Sequence, residues 1–190
     1  MSTMGSFTLS EIARRLNVPQ HKLIHLCEKG VVVPEIHDAT GRGSTRVFSA
    51  NNLLELAVAL RLRDMMLPVS VVGAIVHVLR RFGEELDASR SCPSLAESLR
   101  GPRSPDLRVI VSDGQAIYFS VARSNQPAKL FGGIPLEAIS GTTSTWDRSV
   151  RAVRTKGGES SRGEFGRPEG SKFARMELSV TAVARALPAD

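Results

Sequence analysis

The stretch that most constrains this chain is Thr8–Gly30, TLSEIARRLNVPQHKLIHLCEKG, which reads as two short helices joined by a tight turn. Thr8 caps the first helix while Glu11, three residues on, reaches back to the cap's own N–H, the reciprocal arrangement of a capping box. Leu9, Ile12, Ala13 and Leu16 share one face at helical spacing. Ala13 is small enough for a second helix to come close. Asn17 stands where the chain must turn, and asparagine tolerates a left-handed backbone better than other non-glycine residues. Val18 plugs the corner from inside. Pro19, which has no N–H to lose, suits the start of a second helix running to Lys29, with Gly30 as its stop. On that helix Leu23, Leu26 and Cys27 are expected to point inward. Gln20, His21, Lys22 and His25 are expected outward, concentrating donors and acceptors in its first turns. An amphipathic hairpin with a solvated polar face has the same periodicity, but it has no need of this Ala, Asn, Val and Leu spacing, so a helix-turn-helix is the reading adopted.

Behind it comes a hairpin. Val31, Val32 and Val33 lead through Pro34 to Ile36, and Thr45–Phe48 forms the returning piece, with residues 38–44 as a glycine-containing tip. This predicts a two-stranded wing whose Arg42 and Arg46 lie where a wing meets phosphates. An ordinary surface hairpin would read alike if it did not follow a helix-turn-helix. Ser49 is then expected to cap a helix to about Met66, burying Leu53, Leu56, Ala57 and Leu60 and projecting Arg61 and Arg63. After Pro68 a further helix, capped by Ser70 and running to Phe82, is apolar almost all round. It requires cover from the second half of the chain or from a second copy.

The charge pattern agrees with a polyanionic partner. Lys and Arg number 25 against 19 Asp and Glu, a net charge of +6, and the pI is about 10.0. The basic excess sits in residues 1–82 and 146–190, whereas 83–145 is slightly acidic, so the parts are expected to meet different partners. The segments FTLSEIARRLNVPQHKLIHLCEKGVVVP and GRGSTRVFSANNLLELAVALRLRDMMLPVSVVGAIVHVL together resemble the DNA-binding domain of MerR-family transcriptional regulators over about residues 6–82. Arg46, Phe48 and Ser49 match the arginine, aromatic and serine cap that close the family's wing. The resemblance implies a winged helix-turn-helix followed by a helical pair, phosphate contact from Arg46, and base or backbone contact from the start of the second helix. Where the family usually carries Arg-Tyr in that helix, this chain has Ile24 and His25.

The family normally continues into a long helix that pairs with its twofold mate. Here Pro93, Gly101, Pro102 and Pro105 interrupt the sequence, so residues 83–105 read as a linker with room for a short helix near Ser94–Leu99. Residues 106–145 read as a small β-rich effector or interaction domain: LRVIV and QAIYFSV flank an Asp113-Gly114 hairpin turn, and KLFGGIPLEAI offers a further strand. Its apolar face is expected to rest on the helix 70–82. Residues 146–172, rich in Arg, Gly and Ser, read as a flexible basic arm, and 173–190 as a terminal strand or helix, with a helix favoured beyond Ser179. The fold class is therefore α+β: an N-terminal winged helix-turn-helix with a helical pair, a small domain containing a β-hairpin, and a flexible basic tail.

Other chemistries find no support in the sequence. Phosphate-loop, hydrolase, kinase and zincin signatures are missing. The four histidines are dispersed, His77 reads as a packing or interface residue, and the two cysteines suit neither a disulfide framework nor a thiolate metal site. No catalytic residue, cofactor or metal is expected, and the chain does not read as an enzyme. With no membrane-spanning run and no signal peptide, it is expected to be soluble and cytoplasmic. The expected function is a sequence-specific, double-stranded DNA-binding regulator of the bacterial type. Lys22, Arg42 and Arg46 would sit on phosphates while Gln20, His21 and His25 read bases, a homodimer supplying the second half-site. The alternative is a non-enzymatic protein-interaction or DNA-architectural module that docks on RNA polymerase or a recombinase.

Overall fold

The computed structural model describes residues 5–37, 45–89, 94–112, 116–123, 128–135 and 175–188. They form two compact units: residues 1–104 together with 181–190, and residues 105–180.

The first unit is helical. β1 (Phe7–Thr8) leads into α1 (Leu9–Leu16) and α2 (Gln20–Glu28), followed by β2 (Val47–Phe48), α3 (Ala50–Asp64), α4 (Val69–Ser89) and α5 (Leu95–Arg100). β1 and β2 pair antiparallel, Phe7 opposite Phe48 and Thr8 opposite Val47. Ile12, Leu23, Val32, Phe48, Leu53, Leu56 and Ile75 are fully buried and form much of its core. Most of the apolar coat of α4 is buried in the single chain, from Val71 to Leu79, so no second copy is needed to cover it.

Two readings of the sequence change here. The first arm of the expected wing is not a strand. Val31 and Val32 are buried at 5% and 0% exposure, and among the described residues the arm meets Thr45–Phe48 at one bridge, His37 opposite Val47. The reason is a side chain. Asn52 Nδ2 donates to the Val33 carbonyl at 3.1 Å, and Asn52 Oδ1 accepts from the Glu35 N–H at 2.9 Å, so a buried amide takes the place of a ladder partner. Secondly, α4 does not stop at Phe82 but runs to Ser89, because Gly83, which costs a helix about 1 kcal/mol relative to alanine, is outweighed by its helix-forming neighbours. A Cβ at Gly83 would stand 3.4 Å from that of Leu95, so its bareness lets α5 pack close. α5 spans six residues, at the short helix for which the sequence left room near Ser94–Leu99. Ser94 Oγ accepts from the Glu97 N–H, and Asn51 of α3 accepts from the Ala96 N–H at 3.2 Å.

The second unit is a four-stranded antiparallel sheet in the order β5-β4-β3-β6. β3 (Asp106–Ser112) and β4 (Ala116–Ala122) pair from Asp106–Ala122 to Ser112–Ala116, as the hairpin reading requires, although Asp113 and Gly114 themselves lie outside the described residues. β5 (Lys129–Pro135) adds to β4, with a register shift at Ile117/Tyr118, and β6 (Arg175–Ser179) adds to β3. Arg108 donates to Asp106 and to Glu177, both at 2.6 Å. Hydrogen bonding to Arg108 therefore holds the Glu177 carboxyl below its ordinary value. The basic stretch 146–172 lies outside the described residues.

The chain ends in α6 (Val180–Ala186), a helix beyond Ser179 as the sequence suggests. It belongs with the first unit: Arg100 donates to the Ala184 and Pro188 carbonyls, and Arg185 donates to Ser104 Oγ at 2.9 Å.

Candidate nucleic-acid interface

Local signals set the geometry of α1 and α2. Thr8 and Glu11 form the full capping box: the Thr8 N–H donates to Glu11 Oε2 at 2.7 Å, and the Glu11 N–H donates to Thr8 Oγ1 at 3.3 Å. The Thr8 backbone and then its hydroxyl hold the Glu11 carboxyl below its ordinary value. At the other end Asn17 adopts φ 53°, ψ 47°, the left-handed conformation its side chain makes tolerable. The N–H of Val18 closes back onto the Ala13 carbonyl at 3.0 Å. Asn17–Pro19 is therefore the whole turn. α2 ends in the same manner, with Gly30 at φ +67° and the Val31 N–H donating to the Leu26 carbonyl at 2.9 Å.

The burial pattern sorts the two faces. Leu9, Ile12, Ala13, Leu23 and Leu26 are buried, while Cys27, expected inside, is only half-buried. Gln20, His21, Lys22 and His25 are all exposed. Pro19 caps α2 with no side-chain hydrogen bond, and the first turn carries no acidic residue. The positive end of the helix dipole is thus left without a negative side chain on its own first turn. Arg46 is half-buried, immediately before β2, and the pairing of Val47 with Thr8 ties this strand to the start of α1. Arg42 lies outside the described residues.

Two cations were missed by the sequence reading. Arg14 and Arg15 occupy the last turn of α1, next to the turn. Arg14 is exposed, and the guanidinium of Arg15 lies 4.5 Å from the centroid of the Phe7 ring, a cation–π contact that orients it. The signal was the Arg-Arg pair itself, adjacent to the turn.

A buried polar network underlies the arm that follows α2. Asn52 is fully buried, and besides the arm's backbone its Nδ2 donates to Glu55 Oε2 at 3.0 Å. Arg80 of α4 donates twice to Glu55, from Nε at 2.9 Å and from a terminal nitrogen at 2.7 Å. Burial pushes the Glu55 carboxyl above its ordinary value, and Arg80 opposes that shift. Ser49 completes the network by capping α3 and donating its hydroxyl to Glu35. The post-helix arm, α3 and α4 are thereby fixed to one another through side chains.

This order of elements, two helices on a three-residue turn, a tied arm and a helical pair, has a match among known families. Residues 7–81 match the family model described as MerR HTH family regulatory protein. The matched segment opens at β1, includes both helices and the arm, and closes within α4. A segment of this type suggests a DNA-binding regulator. α5, the four-stranded sheet and α6 fall outside the match. No curated protein matches the chain. No described helix is long and apolar enough to cross a membrane.

Proposed function

We propose that the chain is a sequence-specific transcriptional regulator of the MerR type that places α2 in the major groove of double-stranded DNA. The observation that carries this is the outer face of α2: Gln20, His21, Lys22 and His25 are all exposed on its early turns, with no acidic side chain in the first. Gln20, His21 and His25 read base edges through donors and acceptors, and Lys22 lies on a phosphate. Arg46, from the returning arm of the wing, adds a phosphate contact at the flank, and Arg42 is assigned the same role at the wing's tip. Arg14 extends the phosphate track from α1.

One such unit reads one half-site and gives modest affinity, so the regulator acts as a homodimer on a two-part site. Its protein partner is RNA polymerase or another protein, and its place is the cytoplasm. Selection of bound duplexes from a random pool tests the reading. The expected result is a palindromic motif with half-sites about 10 base pairs apart, centre to centre. A pool that stays random after repeated rounds would overturn the sequence-specific reading.

A further inference from the structure

Arg46 stands just beyond the end of a strand ladder. β1 and β2 pair through Phe7–Phe48 and Thr8–Val47, so the ladder stops one residue short of it. On the other side Val47 meets the arm that follows α2: the His37 N–H donates to the Val47 carbonyl at 3.2 Å, and the Val47 N–H donates to the His37 carbonyl at 2.9 Å. Where Arg46 sits therefore depends on where that arm is held. Val33, Glu35, Ile36 and His37 are all exposed, so burial does little to fix this part of the arm, and polar ties have to do it.

A single buried atom supplies the tie. Asn52 Oδ1, at the start of α3, accepts from the Glu35 N–H at 2.9 Å and from the Ser49 N–H at 3.3 Å. Glu35 precedes the bridge at His37, and Ser49 follows its partner Val47, so one oxygen joins the two sides of the wing's base. The same side chain holds the arm again through the Val33 carbonyl, and the Ser49 hydroxyl donates to the Glu35 carboxylate. The chemistry calls for an amide. Asn52 is fully buried, and its Nδ2 faces two acceptors, the Val33 carbonyl and Glu55 Oε2. An aspartate would bring a second carboxylate against Glu55, and a leucine would offer nothing to either side of the base. Each of the amide's bonds can be lost only by leaving a polar group without its partner, which makes the clamp stiff.

We propose that Asn52 is a positioning residue for DNA binding: buried and out of contact with the duplex, it clamps the wing's base and thereby sets Arg46 against a phosphate. The positioning role deepens the duplex-binding reading and rests on it, whereas the clamp itself does not. Without the clamp Arg46 keeps its charge, but the segment that carries it has to be ordered on binding, and that entropy is subtracted from the contact. α2 is anchored separately, by the buried Leu23 and Leu26, so Lys22 keeps its place when the clamp is lost.

The test is the salt dependence of affinity for a selected duplex, measured on the full chain for wild type, Asn52→Ala, Arg46→Ala and the double variant. Asn52→Ala is expected to make the log–log slope shallower by about 1, as Arg46→Ala does, and to cause no further loss once Arg46 is alanine. In a Lys22→Ala chain the same substitution is expected to take its full toll, since the two sites share no partner. A slope unchanged by Asn52→Ala, or losses at positions 46 and 52 that simply add, would overturn the inference and leave the DNA reading standing. Hydrogen exchange of the unaltered protein without DNA decides the matter should Asn52→Ala not fold. The Glu35 and Ser49 amides are expected to exchange together, at least about tenfold more slowly than in a free chain, and exchange of either at the free-chain rate would overturn the clamp. If no duplex is selected, the DNA reading fails and the positioning role with it, whereas slowed Glu35 and Ser49 amides would still show the clamp.

Discussion

Replacing Arg80 with methionine isolates the most consequential polar contact in the first unit. The Glu55 side chain is 6% exposed, and Arg80 gives it two hydrogen bonds, at 2.9 and 2.7 Å. Without Arg80 the carboxylate keeps a single donor from the described residues, Asn52 Nδ2 at 3.0 Å. Removing one partner of a buried pair costs about 3–5 kcal/mol, because the remaining charge is left in a poor solvent. The cost has a pH signature. Burial already raises the Glu55 carboxyl, and with Arg80 gone nothing of comparable strength opposes it. Between the unfolded and folded titration points the native state then holds one proton more than the unfolded state, so the variant gains stability as pH falls, by about 1.4 kcal/mol per unit. Urea unfolding followed by far-UV circular dichroism suits the measurement, since α1–α5 and nearly all of α6 lie in the unit that contains the pair. A loss below about 1 kcal/mol at pH 7, the size expected of an exposed pair, or a loss that does not shrink on acidification, would refute the reasoning.

Asn52→Leu strips the partner from the Val33 carbonyl and from the Glu35 N–H, so a loss of about 3 kcal/mol is expected, together with faster amide exchange over residues 33–37. Asn17→Ala forces alanine into a left-handed backbone and is expected to cost about 1 kcal/mol in thermal or urea unfolding, whereas Asn17→Gly is expected to cost less. Arg100→Ala removes the donors to Ala184 and Pro188, and faster hydrogen exchange in α6 is the expected readout, with the sheet unchanged. Arg108 lowers the Glu177 carboxyl, so the stability this gives is present above the unfolded titration point and lost as pH falls through the folded one. Acid unfolding should accordingly separate wild type from Glu177→Gln near neutrality and bring them together at low pH.

The parts of the fold legible in the sequence are those written within four residues. Thr8 with Glu11, Asn17 before Pro19, Gly30 and the Ser49 cap each act through the nearest turn of backbone, and each stands where the spacing placed it. The exposed set Gln20, His21, Lys22 and His25 follows from the same periodicity. The valine arm was misread because its hydrogen-bond partners come from Asn52, 17 and 19 residues further on, and no local pattern announces them. Glu55 and Arg80, 25 residues apart, look like two solvent-facing charges until α3 and α4 are packed together. The helix read as ending at Phe82 continues through Gly83, whose missing side chain leaves a gap for Leu95. A helix beyond Ser179 was readable from composition, whereas its attachment to Arg100, 84 residues away, was not.

The most direct test of the proposed duplex-binding surface is the salt dependence of affinity for a selected duplex, measured for wild type and Lys22→Ala. Wild type is expected to weaken steeply between 50 and 200 mM salt, and the variant to bind more weakly to every sequence, with a log–log slope shallower by about 1, the signature of one lost phosphate contact. A wild-type affinity indifferent to salt, or a variant with unchanged affinity and slope, would contradict the placement of α2 on DNA.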